Sequence, residues 1–189
     1  MKSFSELIKA RRSTRRFTEE LLTPEAVELI LKAGLMSPSS KRSTPWQFIV
    51  VEDKEILLKL SEAKPQGAAF LRNCPLAIVV AADVSQSEAW VEDAAIASIL
   101  MQLQAEDLGL GSCWCQIRGR QTADGADSAR YVCDVLHIPY PVEVLSIIAV
   151  GYKAKENTPF DASLLRWEAV HIGKYDSEGS LSACHGFKK

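Results

Sequence analysis

The sequence lacks the apolar run of about 18 residues or more that a membrane-spanning helix needs. Its N-terminus, MKSFSELIKARRS, has neither the apolar stretch nor the small-residue cleavage site of a secretory signal. We therefore predict a soluble, cytoplasmic protein. A net charge of −2 over 189 residues gives no general attraction to nucleic acid or to membranes.

Cysteine is present in a number and spacing that fit neither a disulfide framework nor a zinc site. Five cysteines are an odd count, and their scattered positions argue against a set of disulfides. Cys113 and Cys115 form a C-x-C pair, but no second close pair supplies the remaining ligands of a four-coordinate zinc. We predict no metal site. The five residues are Cys74, Cys113, Cys115, Cys133 and Cys184.

Arrangements typical of nucleophilic catalysis or dinucleotide binding are also missing. Asp93, Glu106, Asp107 and His137 are isolated polar residues on predicted helices, and their order indicates no Ser-His-Asp or Cys-His site. We interpret these four residues as structural. The segment LGLGSCWCQ is not a G-x-G-x-x-G motif after a strand, so no dinucleotide-binding fold is indicated.

What is present is a single alternating series of helix and strand patterns, undivided by any linker, repeat or low-complexity segment. Ser3 and Thr23 are candidate N-caps, and Gly34 is expected to end the second helix. The order predicts one domain over residues 1–189, of α+β or α/β class, around a central sheet. Helices are predicted near 4–11, 23–34, 54–63, 88–108 and 127–138, strands near 47–53, 75–83, 112–117 and 143–152, and a surface-wrapping tail over 153–189.

A cluster of positive charge stands out against the slightly acidic whole, and we call it the basic cluster. It consists of Lys9, Arg11, Arg12, Arg15 and Arg16. It could be a solvated helix end, a nucleic-acid patch or a phosphate site. A phosphate site is chemically reasonable because Arg11, Ser13 and Arg15 alternate, so in extended backbone they share one side and can donate charge-assisted hydrogen bonds.

Two further stretches are ambiguous when taken singly. The serine loop, SPSSKRSTPW over residues 37–46, is plain turn chemistry or a loop whose backbone groups wrap a polar ring system. Residues 108–116, LGLGSCWCQ, contain glycines that either cap the long helix or let backbone approach a ligand closely. The helix before them is apolar nearly all round from Ala94 to Leu103, as expected at the centre of a domain or of a dimer.

In this order, the stretches ARRSTRRF, SPSSKRSTPWQFIVVED, LGLGSCW and IPYPVEVLSIIAVGY resemble the FMN-dependent nitroreductase family, in register over about residues 4–152. The pattern R-R-S-x-R-x-F is the most specific part. The resemblance implies an α+β sandwich, with a central, mostly antiparallel sheet flanked by helices, that forms an intertwined homodimer. It also implies one FMN at each of two sites on the subunit interface.

The resemblance implies roles for individual residues as well. Arg11 and Ser13 look like ligands of the FMN phosphate, and Arg15 is similar to the family's cation beside the pyrimidine edge of the flavin. Arg42 and Thr44 depart from the family, which usually has Asn and Gln there, and no basic residue after the last strand matches the family's further phosphate ligand. Other implied FMN contacts are Arg12, the loop residues Pro38, Ser39, Ser40 and Arg42 from the partner subunit, and Gly111, Ser112, Cys113 and Trp114.

The implied activity is electron transfer from NADH or NADPH to an electron-poor acceptor, such as a nitroaromatic or a quinone, by a ping-pong mechanism. FMN carries the redox chemistry in such an enzyme, so no protein nucleophile or metal is required. The alternatives are other flavin chemistry on the same fold, such as dehalogenation or azoline oxidation, and a flavin-binding protein with little turnover, which Arg42 and Thr44 keep open. A nucleic-acid-binding module built on the basic cluster is the least favoured.

Overall fold

The computed structural model describes residues 3–175, and all nine predicted helices and strands are present in it. Residues 176–189, which include Cys184 and the end of the predicted tail, lie outside the described part. The helices are α1 (Phe4–Ala10), α2 (Pro24–Leu35), α3 (Lys54–Ser61), α4 (Trp90–Asp107) and α5 (Ser128–Leu136). The strands are β1 (Trp46–Val51), β2 (Leu76–Asp83), β3 (Gly111–Gln116) and β4 (Val142–Gly151).

Local side-chain chemistry starts the first two helices where the sequence predicts. The Glu6 N–H donates to Ser3 Oγ at 3.3 Å, and the Ser3 N–H donates to the Glu6 carboxylate at 2.6 Å, which makes a capping box. Thr23 Oγ1 accepts from the Ala26 N–H at 3.2 Å, and Pro24 occupies the first turn. Both predicted N-caps are confirmed.

The four strands form one antiparallel sheet in the order β1-β2-β4-β3. The two central strands carry the continuous apolar runs that predicted burial on both faces, and nearly every residue of β2 is buried. Alternate β2 side chains enter different cores: Ile78 packs towards α2 and α4, and Val79 packs towards α3 and α5. The predicted α+β fold with a mostly antiparallel sheet flanked by helices is therefore confirmed.

Gly34 does not end α2, so that expectation is wrong. The helix continues through Gly34 to Leu35, and Gly34 is buried. A Cβ placed there would lie 2.9 Å from Met101 Sδ and 3.0 Å from a ring carbon of Phe48. The glycine therefore lets α2 approach α4 and the sheet closely, a tertiary requirement that a pattern of helix-stop residues does not reveal.

The chain divides into two compact units, Met1–Pro159 and Phe160–Lys189. The first unit holds all five helices and all four strands. The described part of the second contains two short 3-10 turns, Ala162–Leu164 and Trp167–Ala169. A single domain over 1–189 stays a prediction. No helix within residues 3–175 has both the length and the apolar character needed to cross a membrane.

Candidate functional site

The segment after α1 places the basic cluster against the edge strand β3. The chain leaves the helix at Arg11, and Ser13 forms a parallel bridge with Ser112, in which the Thr14 N–H donates to the Ser112 carbonyl at 2.9 Å. A second bridge, between Phe17 and Lys153, continues the attachment. Backbone pairing at the sheet edge thus holds the cluster's residues in the extended conformation assumed from the sequence.

Thr14 fixes which way its neighbours point. Its side chain is buried, and its Oγ1 accepts from Asn157 Nδ2 at 2.8 Å, whereas Ser13 and Arg15 are exposed. Thr14 packs directly on Gly111, where a Cβ would lie 2.6 Å from Thr14 Cγ2. Because side chains alternate in extended backbone, Ser13 and Arg15 project to the side opposite Thr14.

The pKa of the Cys113 thiol depends on burial and on charged groups near the edge strand β3. Burial raises the pKa of Cys113, and the positive charge of Arg15, a hydrogen bond with Ser13 and the charges of Lys64 and Arg11 act in the opposite direction. The positive charges of three residues from two parts of the chain therefore act on the Cys113 thiol. We call Arg11, Ser13, Arg15 and Lys64 together the cationic pocket, and the assignment of the first three to one binding site stays a prediction.

Lys64 was missed by sequence reasoning. It follows α3, about 50 residues before Cys113 in the chain, in the segment EAKPQG, which carries no motif. Its charge acts on Cys113 and also on Cys115, which places its ammonium beside the thiol side of β3. Only the packing of the loop after α3 beneath the sheet could reveal it.

The thiols of Cys115 and Cys74 are not suited to nucleophilic chemistry. Burial raises the pKa of Cys115 to about 11, against the opposing charge of Lys64, and the Cys115 thiol donates to the Gly67 carbonyl at 3.5 Å. The same cause, burial, raises the pKa of Cys74 to about 12. Thiols with such pKa values are protonated at neutral pH and serve as small apolar side chains.

These raised thiol pKa values predict a loss of stability at alkaline pH. In the unfolded chain a thiol ionises near its ordinary value of 9.0, whereas folded Cys115 stays protonated to about 11. Its contribution is therefore complete below pH 9 and is lost as the pH rises from 9 to 11. We expect Cys115→Ala to reduce the fall in the free energy of unfolding between pH 8 and pH 10 by about 1 kcal/mol in urea titrations. Equal falls in both proteins would contradict this.

Trp114 faces the other side of the sheet. Side chains alternate along β3, so Trp114 packs towards α2 and α4 while Cys115 lies in the core formed with α3 and α5. The Trp114 Nε1 donates to Gln116 Oε1 at 2.9 Å. Both Cys113 and Trp114 are predicted FMN contacts, and their side chains lie on opposite faces of β3. The charges of Arg15, Lys64 and Arg11 act on Cys113.

The serine loop contacts the first turn of α4 and adopts a strained conformation. Lys41, Arg42 and Thr44 all have positive φ, between 47° and 58°, which is uncommon outside glycine. The hydroxyls of Ser37 and Ser43 are buried without a hydrogen-bond partner among the described residues. Buried polar groups of this kind fit a loop that a ligand or a second chain completes.

The loop and the cationic pocket belong to opposite ends of α4. The Ser40 N–H donates to Asp93 Oδ1 at 2.7 Å in the first turn of that helix, whereas Glu106 in its last turn contacts Lys153 after β4. The two turns are about 20 Å apart at a rise of 1.5 Å per residue. A single chain therefore presents the predicted loop residues, Pro38, Ser39, Ser40 and Arg42, away from the predicted phosphate ligands.

The fold is a layered α+β domain in which the segment with Arg11 and Ser13 lies along the edge strand β3. Among residues 3–175 there is no group of three or more His, Cys, Asp and Glu that could hold a metal ion. The chain belongs to the nitroreductase family, whose model, described as "Nitroreductase family", matches residues 8–152.

Individual relatives agree with this assignment. The chain is 35% identical over 166 residues, 86% of its length and 92% of the other, to an Archaeoglobus fulgidus protein named "Putative NADH dehydrogenase/NAD(P)H nitroreductase". A solved structure described as an FMN-dependent nitroreductase from Clostridium difficile is similar with a TM-score of 0.87 and 42% identity, covering 89% of this chain and 98% of that one. A shorter match, 37% over 59 residues, covers 31% of this chain and 21% of mouse iodotyrosine deiodinase 1.

Proposed function

We propose that the protein is an FMN-dependent oxidoreductase that passes electrons from NADH or NADPH to an electron-poor acceptor, such as a nitroaromatic or a quinone, by a ping-pong mechanism. The observation that carries the proposal is the pairing of the segment with Arg11, Ser13 and Arg15 along the edge strand β3, through the bridge from Ser13 to Ser112, in a chain of this family. Guanidinium, ammonium and hydroxyl donors are those that a phosphate monoester and an electron-rich ring edge require. FMN supplies the redox chemistry when it is bound.

The residues of the cationic pocket divide between holding and tuning the cofactor. Arg11 and Ser13 would hold the phosphate, where charge-assisted hydrogen bonds contribute affinity. Arg15 would lie beside the pyrimidine edge, where a fixed cation stabilises negative charge and raises the reduction potential. Arg12, half-buried next to Arg11, and Gly111, Ser112, Cys113 and Trp114 on β3 are proposed as further contacts. Lys64 adds a third positive charge on the thiol side of the strand.

The proposal includes a homodimer in which each site takes residues from both chains. The exposed side chains of Phe4 and Met36 line a groove of about 350 Å³ between α1, α2 and α4, and further exposed apolar side chains lie on α2 and α4. An apolar surface of this kind is typical of an interaction site, and a second copy would also bring a serine loop, with Arg42, to the cationic pocket. Light scattering on the eluting protein measures the assembly. The exposed residues are Phe4, Leu35, Met36, Ile96 and Ile99.

Substitution of the two predicted arginines separates binding from turnover. We expect Arg11→Ala to raise the Kd for FMN by about 10- to 100-fold, the effect of losing hydrogen bonds to a charged group. Arg15→Ala is expected to lower turnover by at least about tenfold while changing the Kd less, because its charge acts on the reduced form. Fluorescence titration of FMN and steady-state rates measure the two effects.

Arg16→Ala is the matched control for both variants. Arg16 is exposed, and its carbonyl accepts from the Ala154 N–H, a bond that the substitution keeps. It is not among the cations that act on Cys113. Unchanged turnover and unchanged flavin potential in Arg15→Ala would show that the role assigned to Arg15 is wrong.

An anaerobic spectral titration tests the activity itself. NADH or NADPH should bleach the flavin of the purified protein, and a quinone or nitroaromatic should restore its colour. If neither nicotinamide reduces the flavin, the oxidoreductase proposal fails and a flavin-binding protein with little turnover remains. Restoration by a halogenated phenol with halide release, and not by a quinone, would favour dehalogenation, which the short match to the deiodinase keeps as a second candidate.

A further inference from the structure

Asp93 is a buried carboxylate whose partners come from two other parts of the chain. It lies in the first turn of α4 with 3% of its surface exposed. Its Oδ1 accepts from the Ser40 N–H at 2.7 Å, and its Oδ2 accepts from Ser87 Oγ at 2.8 Å. Both carboxylate oxygens are therefore used, one on the serine loop and one on the connection between β2 and α4.

The bond to Ser40 spans 53 positions of sequence, so it is not a helix cap. Capping of the α4 N-terminus is local instead: the Ala89 N–H donates to Ser87 Oγ, and Ala89 itself has no capping side chain. The Ser87 hydroxyl donates to Asp93 Oδ2 and accepts from the Ala89 N–H, so these two hydrogen bonds already stabilise the start of α4. Asp93 Oδ1 takes no part in this arrangement at the helix start, and it accepts from the Ser40 N–H of the serine loop.

The serine loop needs an external anchor because its own backbone is strained. A non-glycine residue in left-handed backbone costs about 1–2 kcal/mol, and the loop contains three such residues, Lys41, Arg42 and Thr44. Its internal bonds come from three N–H groups: those of Arg42 and Ser43 donate to the carbonyls of Ser39 and Ser40 at 3.2 and 2.9 Å. The Thr44 N–H donates to Ser39 Oγ at 3.0 Å. Such strain persists only where surrounding contacts impose it.

We propose that Asp93 is a positioning residue that holds the serine loop in this strained conformation and thereby shapes the part of the FMN site that the loop supplies. The loop's role in that site rests on the proposed function, whereas the anchoring rests on the two hydrogen bonds. A short bond from a backbone N–H to a buried carboxylate is charge-assisted and stronger than a neutral one, so it can offset much of the strain that follows directly in the chain.

Trypsin provides a test of the anchoring that does not depend on flavin. Lys41 and Arg42 are exposed cations in the middle of the loop, so loosening of the loop opens two cleavage sites within it. We expect Asp93→Ala to raise the rate of cleavage after these two residues by about 10- to 100-fold, as for a lost bond to a charged group. Cleavage at other lysines and arginines should stay unchanged, and mass spectrometry of the fragments distinguishes the sites.

Two further variants separate positioning from general destabilisation. Asp93→Asn keeps one oxygen that can accept from Ser40 and gains an amide that can donate to Ser87 Oγ, so it should restore cleavage to within about fivefold of the parent protein. Ser98→Ala is the matched control on the same helix, since Ser98 is buried and its hydroxyl donates to the Ala94 carbonyl one turn earlier. It should leave loop cleavage unchanged.

The rate at which FMN leaves the holoprotein on dilution gives the second readout. We expect Asp93→Ala to release FMN at least about tenfold faster than the parent, and Asp93→Asn and Ser98→Ala to stay within about threefold. Faster cleavage at every tryptic site, or no increase after Lys41 and Arg42, would overturn the anchoring. Faster loop cleavage with unchanged FMN release would overturn its link to the site, and a parent protein that binds no FMN would instead overturn the proposed function.

Discussion

Lys153→Met is expected to lower the free energy of unfolding by about 3–5 kcal/mol, the cost of breaking a buried ion pair from one side. Lys153 Nζ lies 3.1 Å from both carboxylate oxygens of Glu106, and the side chains are 7% and 4% exposed. Methionine keeps the stem but removes the ammonium, so the buried Glu106 carboxylate loses both charge-assisted contacts that Lys153 supplies. Urea unfolding followed by circular dichroism measures the loss.

The structural consequence of this loss extends to the site. Glu106 lies in the last turn of α4, and Lys153 lies two residues after the end of β4 and forms a β-bridge with Phe17 of the N-terminal segment. The ion pair therefore joins the long helix to the sheet edge that carries the cationic pocket. Glu156 also contacts Lys153, at 3.5 Å, but its side chain is 82% exposed, and solvent screens such a contact.

Two controls make the ion-pair prediction decisive. Lys32→Met breaks an exposed pair with Glu28 on α2 and should cost no more than about 0.5 kcal/mol. The double variant Glu106→Leu with Lys153→Met removes both charges and should recover a large part of the loss, because an apolar pair of similar volume often replaces a buried ion pair at little cost. A loss for Lys153→Met no larger than that for Lys32→Met would refute the prediction.

Gly111→Ala is expected to weaken both folding and FMN binding, with a loss of about 2–3 kcal/mol in the free energy of unfolding. The added Cβ would lie 2.6 Å from Thr14 Cγ2 and 2.7 Å from Thr14 Cβ. Thr14 cannot easily withdraw, because its N–H is bonded to the Ser112 carbonyl and its Oγ1 to Asn157. The clash therefore displaces the segment that carries Ser13 and Arg15, and we expect the Kd for FMN to rise at least about tenfold.

Gly34→Ala is the glycine control. Its Cβ would also meet close neighbours, at 2.9 Å from Met101 Sδ, but that atom is near the end of a flexible side chain. It should lower stability by less and leave the Kd for FMN within about threefold, because Gly34 packs α2 on α4, away from the cationic pocket. Thermal unfolding and FMN titration compare the two variants, and equal FMN affinities in both would contradict the assignment of Gly111 to the site.

Local signals were sufficient wherever a feature depends on neighbours in sequence. The capping box at Ser3, the start of α2 at Thr23 and the buried strand β2 all follow from residues within one or two turns of one another. The alternation of Arg11, Ser13 and Arg15 is equally local, and their assignment to one binding site stays a prediction. Their order with the serine loop and GLGSCW sufficed for the family resemblance.

Other features could not be predicted from sequence patterns, because they join segments that are far apart in the chain. Lys64 enters the cationic pocket from the loop after α3, and Asp93 reaches Ser40 across 53 positions. Gly34 was misjudged because its reason is the side chain of Met101 on another helix. Asp93 and Glu106, interpreted as structural residues, have partners from distant parts of the chain, Ser40 and Lys153.

By itself the sequence determined the elements, a class of α+β or α/β, and a set of guanidinium and hydroxyl donors at the N-terminus, because hydrophobic period, caps and charge spacing act over a few residues. Only the tertiary structure decided the strand order β1-β2-β4-β3, the pairing of the N-terminal segment with β3 and the position of the serine loop at the far end of α4. The physical reason is that strand pairing and side-chain packing are chosen by the burial and hydrogen bonding of the whole domain, which no local window of sequence contains.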